Sequence, residues 1–379
     1  ALEEKVKLSN SLKYLNIKKK DKIAIICPNS PQWCISDLSI MSIGAVTVPG
    51  YITSTENELE YLLNHSECKG IFVSLNILEK IRKIEKKLKF LKFIICIDKY
   101  NKGLKDIETY YYEDLLKKFQ IIRKNTVNKL PVMSDDLACI IYTSGTSSRP
   151  KGVMLTHGSI IENIKGAQKF VEDLRIKNHK FLSIIPLSHA YEHTGGFLLP
   201  MHIGAEIFFN KDREHLISDI QFAKPTLMVA VPRLYDLLFK RISQNINAKG
   251  NLTKFLFKKT LQIGEEKYFK KHISFLNRFL DLILDYTIRK KIKELFGNNL
   301  IAFIRSLKNT PQLFILEKII NKGHVIFDLK INYDENGKIK DDYEINGIIK
   351  DGKIQLLNNY IYEKINFIFN LKKQEFKFQ

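Results

Sequence analysis

Long apolar runs are missing from this sequence. None approaches the roughly eighteen residues that a membrane-crossing helix needs. The first residues, Ala-Leu-Glu-Glu-Lys, lack the basic and apolar blocks of a signal peptide, and a start without Met reads as a fragment or a processed end. Cysteine is scarce and solitary. Cys27, Cys34, Cys68, Cys96 and Cys139 sit singly in apolar surroundings, with no CxxC and no Cys/His spacing, which argues against a zinc site or a disulfide framework. A reducing cytoplasm is the expected compartment. Acidic residues are also short: 41 Asp and Glu against 61 Lys and Arg leave a net charge of +20. That balance raises nucleic acid and anionic membrane as partners. The lysines are spread along the chain, however, with no Arg-dense stripe and no aromatic platform. A solvated basic surface is therefore expected, without specific nucleic-acid binding. Loose peripheral attraction to anionic lipid remains compatible with the charge.

What is present is a folded chain. The 379 residues, 45% of them hydrophobic and 11% aromatic, suffice for a sizeable core and for two or three domains. An amphipathic helix is predicted over 2–16, then a buried strand from Ile23 to Cys27, and a Pro28-Asn29-Ser30-Pro31 turn into a helix ending near Gly44. Val46 to Val48 reads as a strand closed by Pro49, and Thr55 with Glu58 forms a capping box for the next helix. A strand at Ile71–Ser74, a Lys-rich helix over 76–89 and a strand at Phe93–Ile97 follow. Strands alternating with helices predict an α/β fold whose parallel-rich sheet is covered on both faces.

The most informative stretch is Tyr142-Thr143-Ser144-Gly145-Thr146-Ser147-Ser148-Arg149-Pro150-Lys151-Gly152. An apolar run from Leu137 to Tyr142 ends here in hydroxyls and glycine, and a helical pattern resumes after Thr156, which is placed to cap a helix to about Val171. A loop of donors between a strand and a helix suits phosphate: backbone N–H groups and hydroxyls surround anionic oxygens, Gly145 admits close approach, and Lys151 adds charge. It is not the standard P-loop, because five residues separate Gly145 from Lys151 and Pro150 precedes the lysine. Further on, Phe181 to Ile185 reads as a strand ending in Pro186-Leu187-Ser188-His189-Ala190-Tyr191-Glu192-His193. Long basic helices are predicted over 254–296, and a strand is entered at Asn298–Ile304.

The loop with its continuation, Tyr-Thr-Ser-Gly-Thr-Ser-x-x-Pro-Lys-Gly-Val-Met-Leu-Thr-His, resembles the signature of the AMP-forming acyl-CoA synthetases and their adenylate-forming relatives. Ser148 stands where that family usually has Gly. Other segments resemble the same family in the same order: Asp21–Ile25, Asn29-Ser30-Pro31-Gln32-Trp33, Gly44–Pro49, the Pro186–Glu192 segment, Gly204–Phe208 and Lys224–Tyr235. The last of these is typical of the long-chain fatty acyl-CoA branch, and the similarity spans about residues 3–304. It implies the large N-terminal domain of an adenylate-forming enzyme. It also implies a two-step reaction, in which a fatty carboxylate attacks the α-phosphate of ATP to give acyl-AMP and pyrophosphate, and the CoA thiol then displaces AMP. By the same resemblance, Thr143, Ser144, Gly145, Thr146, Ser147 and Lys151 hold the β- and γ-phosphates, with Mg²⁺ bridging phosphate oxygens, and His189 borders the adenylate and the acyl carboxylate as the candidate catalytic residue.

The family pattern stops at Arg305. Its later elements do not occur in residues 305–379: a Ser-Gly-Gly-Ala turn, a Tyr-Gly-x-Thr-Glu motif that helps hold Mg²⁺, a ribose-binding Asp and a lid lysine. The expected organisation is an incomplete AMP-binding region over 1–305 and a β-rich tail over 306–379. Nearly all of the net charge lies before the tail. In the tail, Val325, Phe327, Leu329 and Ile331 alternate with mostly polar residues, as do Ile365, Phe367, Phe369 and Leu371, and Asn336-Gly337 and Asp351-Gly352 are hairpin signals. An antiparallel meander is predicted, loosely resembling AsmA-like envelope proteins. The missing motifs predict a ligase with impaired thioester formation. Two rivals stay open: a non-catalytic lipid- or nucleotide-binding protein, and a basic nucleic-acid binder.

Overall fold

Residues Lys22–Ile26 (β1), Val46–Pro49 (β2), Cys68–Val73 (β3) and Phe93–Cys96 (β4) are buried along almost their whole length. Strands that hide both faces belong to a parallel sheet covered on each side. In the computed structural model they pair in parallel. The structure describes residues 1–118, 132–143, 149–173, 178–212, 214–248, 250–268, 275–300, 302–305, 325–330, 344–355, 361–372 and 375–378. Glu108–Tyr111 (β5), Leu137–Thr143 (β6) and Lys151–Thr156 (β7) complete a seven-stranded sheet among these residues, in the order β5-β4-β3-β1-β2-β6-β7. Its β6–β7 pair is antiparallel.

Two helices of this region start on side-chain caps. Leu2–Tyr14 (α1) precedes β1. Pro31–Ser42 (α2) starts on Ser30, whose hydroxyl accepts the Trp33 N–H at 3.2 Å, with Pro31 in the first turn. Glu56–His65 (α3) carries the Thr55/Glu58 capping box, both reciprocal bonds being present. Leu75–Ile84 (α4) buries Ile77, Leu78, Ile81 and Ile84 on one face. That face joins Leu59, Leu62 and Leu63 of α3 in a core with Ala24, Ile26, Ile71 and Val73 of the sheet. The alternate residues Ile23, Ile25 and Phe72 are fully buried too. Phe72 meets Tyr112 of the helix Tyr112–Lys118 (α5) edge-on, with ring centroids 6.5 Å apart. The expected α/β sheet with parallel pairings is thus present. Two short elements, β5 and α5, went unread in the sequence.

The described residues form two compact units, Ala1–Phe170 with Ile185–Leu199, and Val171–Ile184 with Pro200–Gln379. His157–Asp173 (α6) follows β7, and the Ser159 N–H donates to Thr156 Oγ1 at 3.2 Å, so Thr156 does cap this helix. In the second unit Lys180–Ser183 (β8), Glu206–Phe209 (β9), Leu227–Ala230 (β10) and Ala302–Arg305 (β11) pair in parallel in the order β11-β10-β8-β9. Ahead of β9, the first unit's short helix Ala190–Glu192 (α7) runs through a wide π turn at His193–Leu198 into Leu199–His202 (α8). Leu216–Ala223 (α9), Pro232–Asn247 (α10), Asn251–Tyr268 (α11), Phe275–Leu284 (α12) and Lys290–Leu295 (α13) surround the second core. That core includes Met228, Leu238, Ile263 and Phe296. Arg289 is buried there and bonded to Asp281 at 2.6 Å and Asp285 at 3.0 Å, which compensates its charge.

Val325–Lys330 (β12), Glu344–Gln355 (β13), Ile361–Lys372 (β14) and Glu375–Phe378 (β15) form an antiparallel sheet in sequence order. One turn assignment is corrected. Asp351-Gly352 lies within β13, where the pairing register shifts between Ile349 and Gly352, and no reversal occurs there. A Gly next to a turn-former can serve a bulge as readily as a hairpin. Ile331 and Asn336-Gly337 lie outside the described residues.

Candidate nucleotide-binding site

The loop anticipated between a strand and a helix instead closes a hairpin. Thr143 pairs with Lys151 and Tyr142 with Gly152, so β7 intervenes before α6. The correction has a physical cause. Val153 and Met154 of β7 are 45% and 66% exposed on an edge strand, so their apolar side chains carry no inside–outside alternation that the sequence could show. Ser144, Gly145, Thr146 and Ser147, with Ser148, lie outside the described residues. Thr143 and Lys151 face one another as the last paired residues, both exposed, a hydroxyl and an ammonium on the same face of the ribbon. Gly152 is required here by close packing: a Cβ would stand 2.8 Å from Ile140 Cγ2 and 3.3 Å from the Tyr142 ring.

Both feet of the hairpin are gripped by α3. Tyr61 and His65, one turn apart, stack at 5.0 Å between ring centroids. His65 Nδ1 is 2.7 Å from the Tyr142 hydroxyl at the end of β6. The Tyr61 hydroxyl donates to the Pro150 carbonyl at 3.0 Å, just before β7 begins. The Arg149 guanidinium lies 5.9 Å from the centre of the Tyr61 ring. Burial pushes the Tyr142 phenol up to about 12, so it stays an uncharged hydroxyl. Tyr51, Asn57, Tyr61, His65, Tyr142 and Arg149 are among the residues that line an open groove of about 840 Å³.

His189 lies on a separate segment of the same unit, at the start of α7. Its Nδ1 accepts the Tyr191 N–H at 3.3 Å, an imidazole acting as the helix cap. Partial loss of water lowers its pKa below the usual histidine value, which keeps the ring neutral at neutral pH. The Asn29 amide holds the preceding backbone from both sides: Nδ2 donates to the Ile185 carbonyl at 2.7 Å, and Oδ1 accepts the Leu187 N–H at 2.8 Å. One turn further, His193 Nε2 sits 2.9 Å from Asp37 Oδ2 of α2, both side chains excluded from solvent. Trp33 meets His193 and Phe197 edge-on at 5.6 and 6.1 Å. Gly196 leaves room for Glu192, since a Cβ would fall 2.3 Å from Glu192 Oε1.

The structure therefore brings Thr143 and Lys151 together and sets His189 on its own anchored turn. Tyr61, His65, Asp37 and His193 were not singled out from sequence, because each reads alone as a core or surface residue. Only the one-turn spacing of Tyr61 with His65 hinted at a common face. Among the described residues no group of three or more His, Cys, Asp or Glu side chains could hold a metal ion.

The sequence profile described as AMP-binding enzyme matches residues 1–286, which include the hairpin and the His189 turn. The chain belongs to the AMP-binding enzyme family. Among curated members, long chain acyl-CoA synthetase 3 of Arabidopsis thaliana is 29% identical over 306 residues, covering 78% of this chain and 45% of the relative. Fatty acyl-CoA synthetase B of Dictyostelium discoideum is 29% identical over 291 residues, covering 75% and 42%. The chain thus spans less than half the length of these family members. Among solved structures, the adenylation domain of a carboxylate reductase from Mycobacterium chelonae matches with a TM-score of 0.68 at 13% identity, over 96% of this chain and 66% of that one. The anthranilate CoA ligase AuaEII in complex with anthranoyl-AMP gives 0.61 at 14%, over 95% and 71%. At such identities they support the shared fold and nothing finer.

Proposed function

We propose that this chain carries the nucleotide- and acyl-binding part of an AMP-forming long-chain fatty acid–CoA ligase, with ATP, a fatty acid and CoA as its substrates. The family match over residues 1–286, with curated relatives named as long-chain acyl-CoA synthetases, carries this reading. Displacement at the α-phosphate of ATP asks a protein for positioning and charge compensation. The Thr143–Lys151 hairpin end supplies a hydroxyl and a cation, and the family resemblance assigns Ser144, Thr146 and Ser147 as further donors to the β- and γ-phosphates. His189, neutral and anchored, borders the adenylate and the acyl carboxylate.

Taken alone, the 379 residues bind ATP weakly and form little or no thioester, because the glutamate, aspartate and lysine of the later family motifs are not found in residues 305–379. Losing one transition-state contact costs about 10²–10³ in rate. An assay with ATP, Mg²⁺, palmitate and CoA tests this. Clear AMP release at ordinary turnover overturns the impairment, and an absence of ATP binding overturns the ligase reading. Relatives named as synthetases give no support to a purely lipid-binding role.

We further infer a cytoplasmic site of action with loose contact to anionic lipid. Five buried free thiols fit a reducing compartment. Phe279, Leu282, Ile283 and Tyr286, at helical spacing across α12 and the turn after it, are all exposed and lead into the exposed Lys290 and Lys291.

A further inference from the structure

Three features of the His189 turn are independent of one another and point the same way. The Asn29 amide bonds to the backbone on both sides of Pro186, at 2.7 and 2.8 Å, which fixes the chain three residues before the histidine. After the histidine, the His193 N–H donates to the His189 carbonyl at 2.9 Å, while the His193 ring is tied to Asp37 of α2 at 2.9 Å in a water-free setting. Between these anchors, the backbone N–H of Tyr191 donates to His189 Nδ1. A backbone N–H can only donate, so the nitrogen facing it must carry a lone pair, and the single proton of the neutral ring then resides on Nε2. Asn29 and Asp37 both belong to the turn and helix that open with Asn29-Ser30-Pro31-Gln32-Trp33, so one short segment supplies both anchors.

We propose that Asn29, together with the Asp37–His193 pair, is the positioning device for His189, holding residues 185–193 on α2 so that the imidazole is presented as an Nε2–H donor. Such a ring donates a hydrogen bond to an anionic oxygen; it neither removes a proton from the substrate nor carries fixed charge. The assignment rests on the reading of His189 as the residue that borders the adenylate and carboxylate. The anchoring itself is read at the imidazole, without turnover.

The experiment uses the full chain labelled at its histidine rings, followed by NMR through a pH titration, with His189→Ala assigning the signal. The wild-type ring is expected as the Nε2–H tautomer, with a titration midpoint below the ordinary histidine value. Asn29→Ala is expected to raise that midpoint and mix the tautomers while the protein stays folded. Ser30→Ala removes the helix cap in the same turn but touches neither Ile185 nor Leu187, and is expected to lower stability without moving His189. If the alanine variant does not fold, Asn29→Gln serves, since its longer arm cannot keep both backbone bonds in register; a smaller shift in the same direction is expected. An Nδ1–H tautomer in the wild type overturns the proposal. So does an unmoved His189 in folded Asn29→Ala, or in Asn29→Gln when that stands in, or an equal shift in Ser30→Ala. ATP binding is measured separately: a shifted His189 with no ATP binding keeps the positioning device and removes the ligase reading.

Discussion

Tyr61→Phe deletes a single oxygen and tests whether α3 sets the geometry of the β6–β7 hairpin and, with it, the proposed binding of ATP. The lost atom donates to the Pro150 carbonyl at 3.0 Å, next to Lys151. The stack on His65 at 5.0 Å and the His65–Tyr142 bond at 2.7 Å both survive in a phenylalanine variant. A net hydrogen bond contributes about 0.5–1.5 kcal/mol, and this one is exposed, so the loss in stability is expected near the lower end, about 0.5 kcal/mol. Affinity for ATP is expected to fall further than stability. Releasing Pro150 frees the foot of the hairpin that carries Lys151, and a charge-assisted contact to phosphate is worth about 1.5–3 kcal/mol when well placed. Losing roughly half of that, about 0.75–1.5 kcal/mol, weakens binding by roughly three- to tenfold. Calorimetric titration of ATP beside thermal unfolding measures the two quantities. Tyr51→Phe is the control, because Tyr51 lines the same groove but makes no bond to the hairpin among the described residues. An unchanged ATP affinity in Tyr61→Phe, or an equal loss in Tyr51→Phe, refutes the reasoning.

Two further outcomes are expected. His193→Ala strands Asp37 in a dry core and is expected to cost about 3–5 kcal/mol in urea unfolding, with Asp37→Ala and His193→Ala together costing less than their sum; a single loss below about 1 kcal/mol counts against a coupled pair. Replacing Phe279 and Leu282 with serine is expected to reduce co-sedimentation with anionic vesicles while leaving stability near wild type. Undiminished binding of the variant, or none by the wild type at low salt, would remove the membrane-facing role of α12.

Much of the first unit was legible because its strands are short, apolar and doubly buried, because Thr55 and Thr156 announce their helices with cap chemistry, and because the Pro28–Pro31 turn announces α2. The antiparallel β7 was illegible for the opposite reason: Val153 and Met154 face solvent at a sheet edge, so its residues imitate a loop leading into a helix. Asp351-Gly352 misled because the same dipeptide suits a tight turn and a bulge inside a long strand. At the site, the types of residue were readable but their partnerships were not. Asn29 and Leu187 are separated by most of the first unit's sequence and meet only because residues 185–199 return to α2. Likewise the bond from Tyr61 to Pro150 depends on how α3 is set beside β6 and β7, a tertiary fact that no local pattern encodes.

The five cysteines give the molecule an internal clock. All are buried free thiols, and all lie before residue 140, within the first unit. Desolvation raises each of them, Cys96 to about 11 and Cys68 to about 12, so the native protein offers almost no thiolate to an alkylating reagent. Labelling then proceeds only as fast as the sheet opens. Cys27 and Cys68 near its centre time the rupture of β1 from β3, while Cys139 times the loosening of β6, the first strand of the β6–β7 hairpin. The second unit, lacking cysteine altogether, is silent in such an experiment. The rate of thiol modification is therefore a direct read-out of how often the first unit breathes.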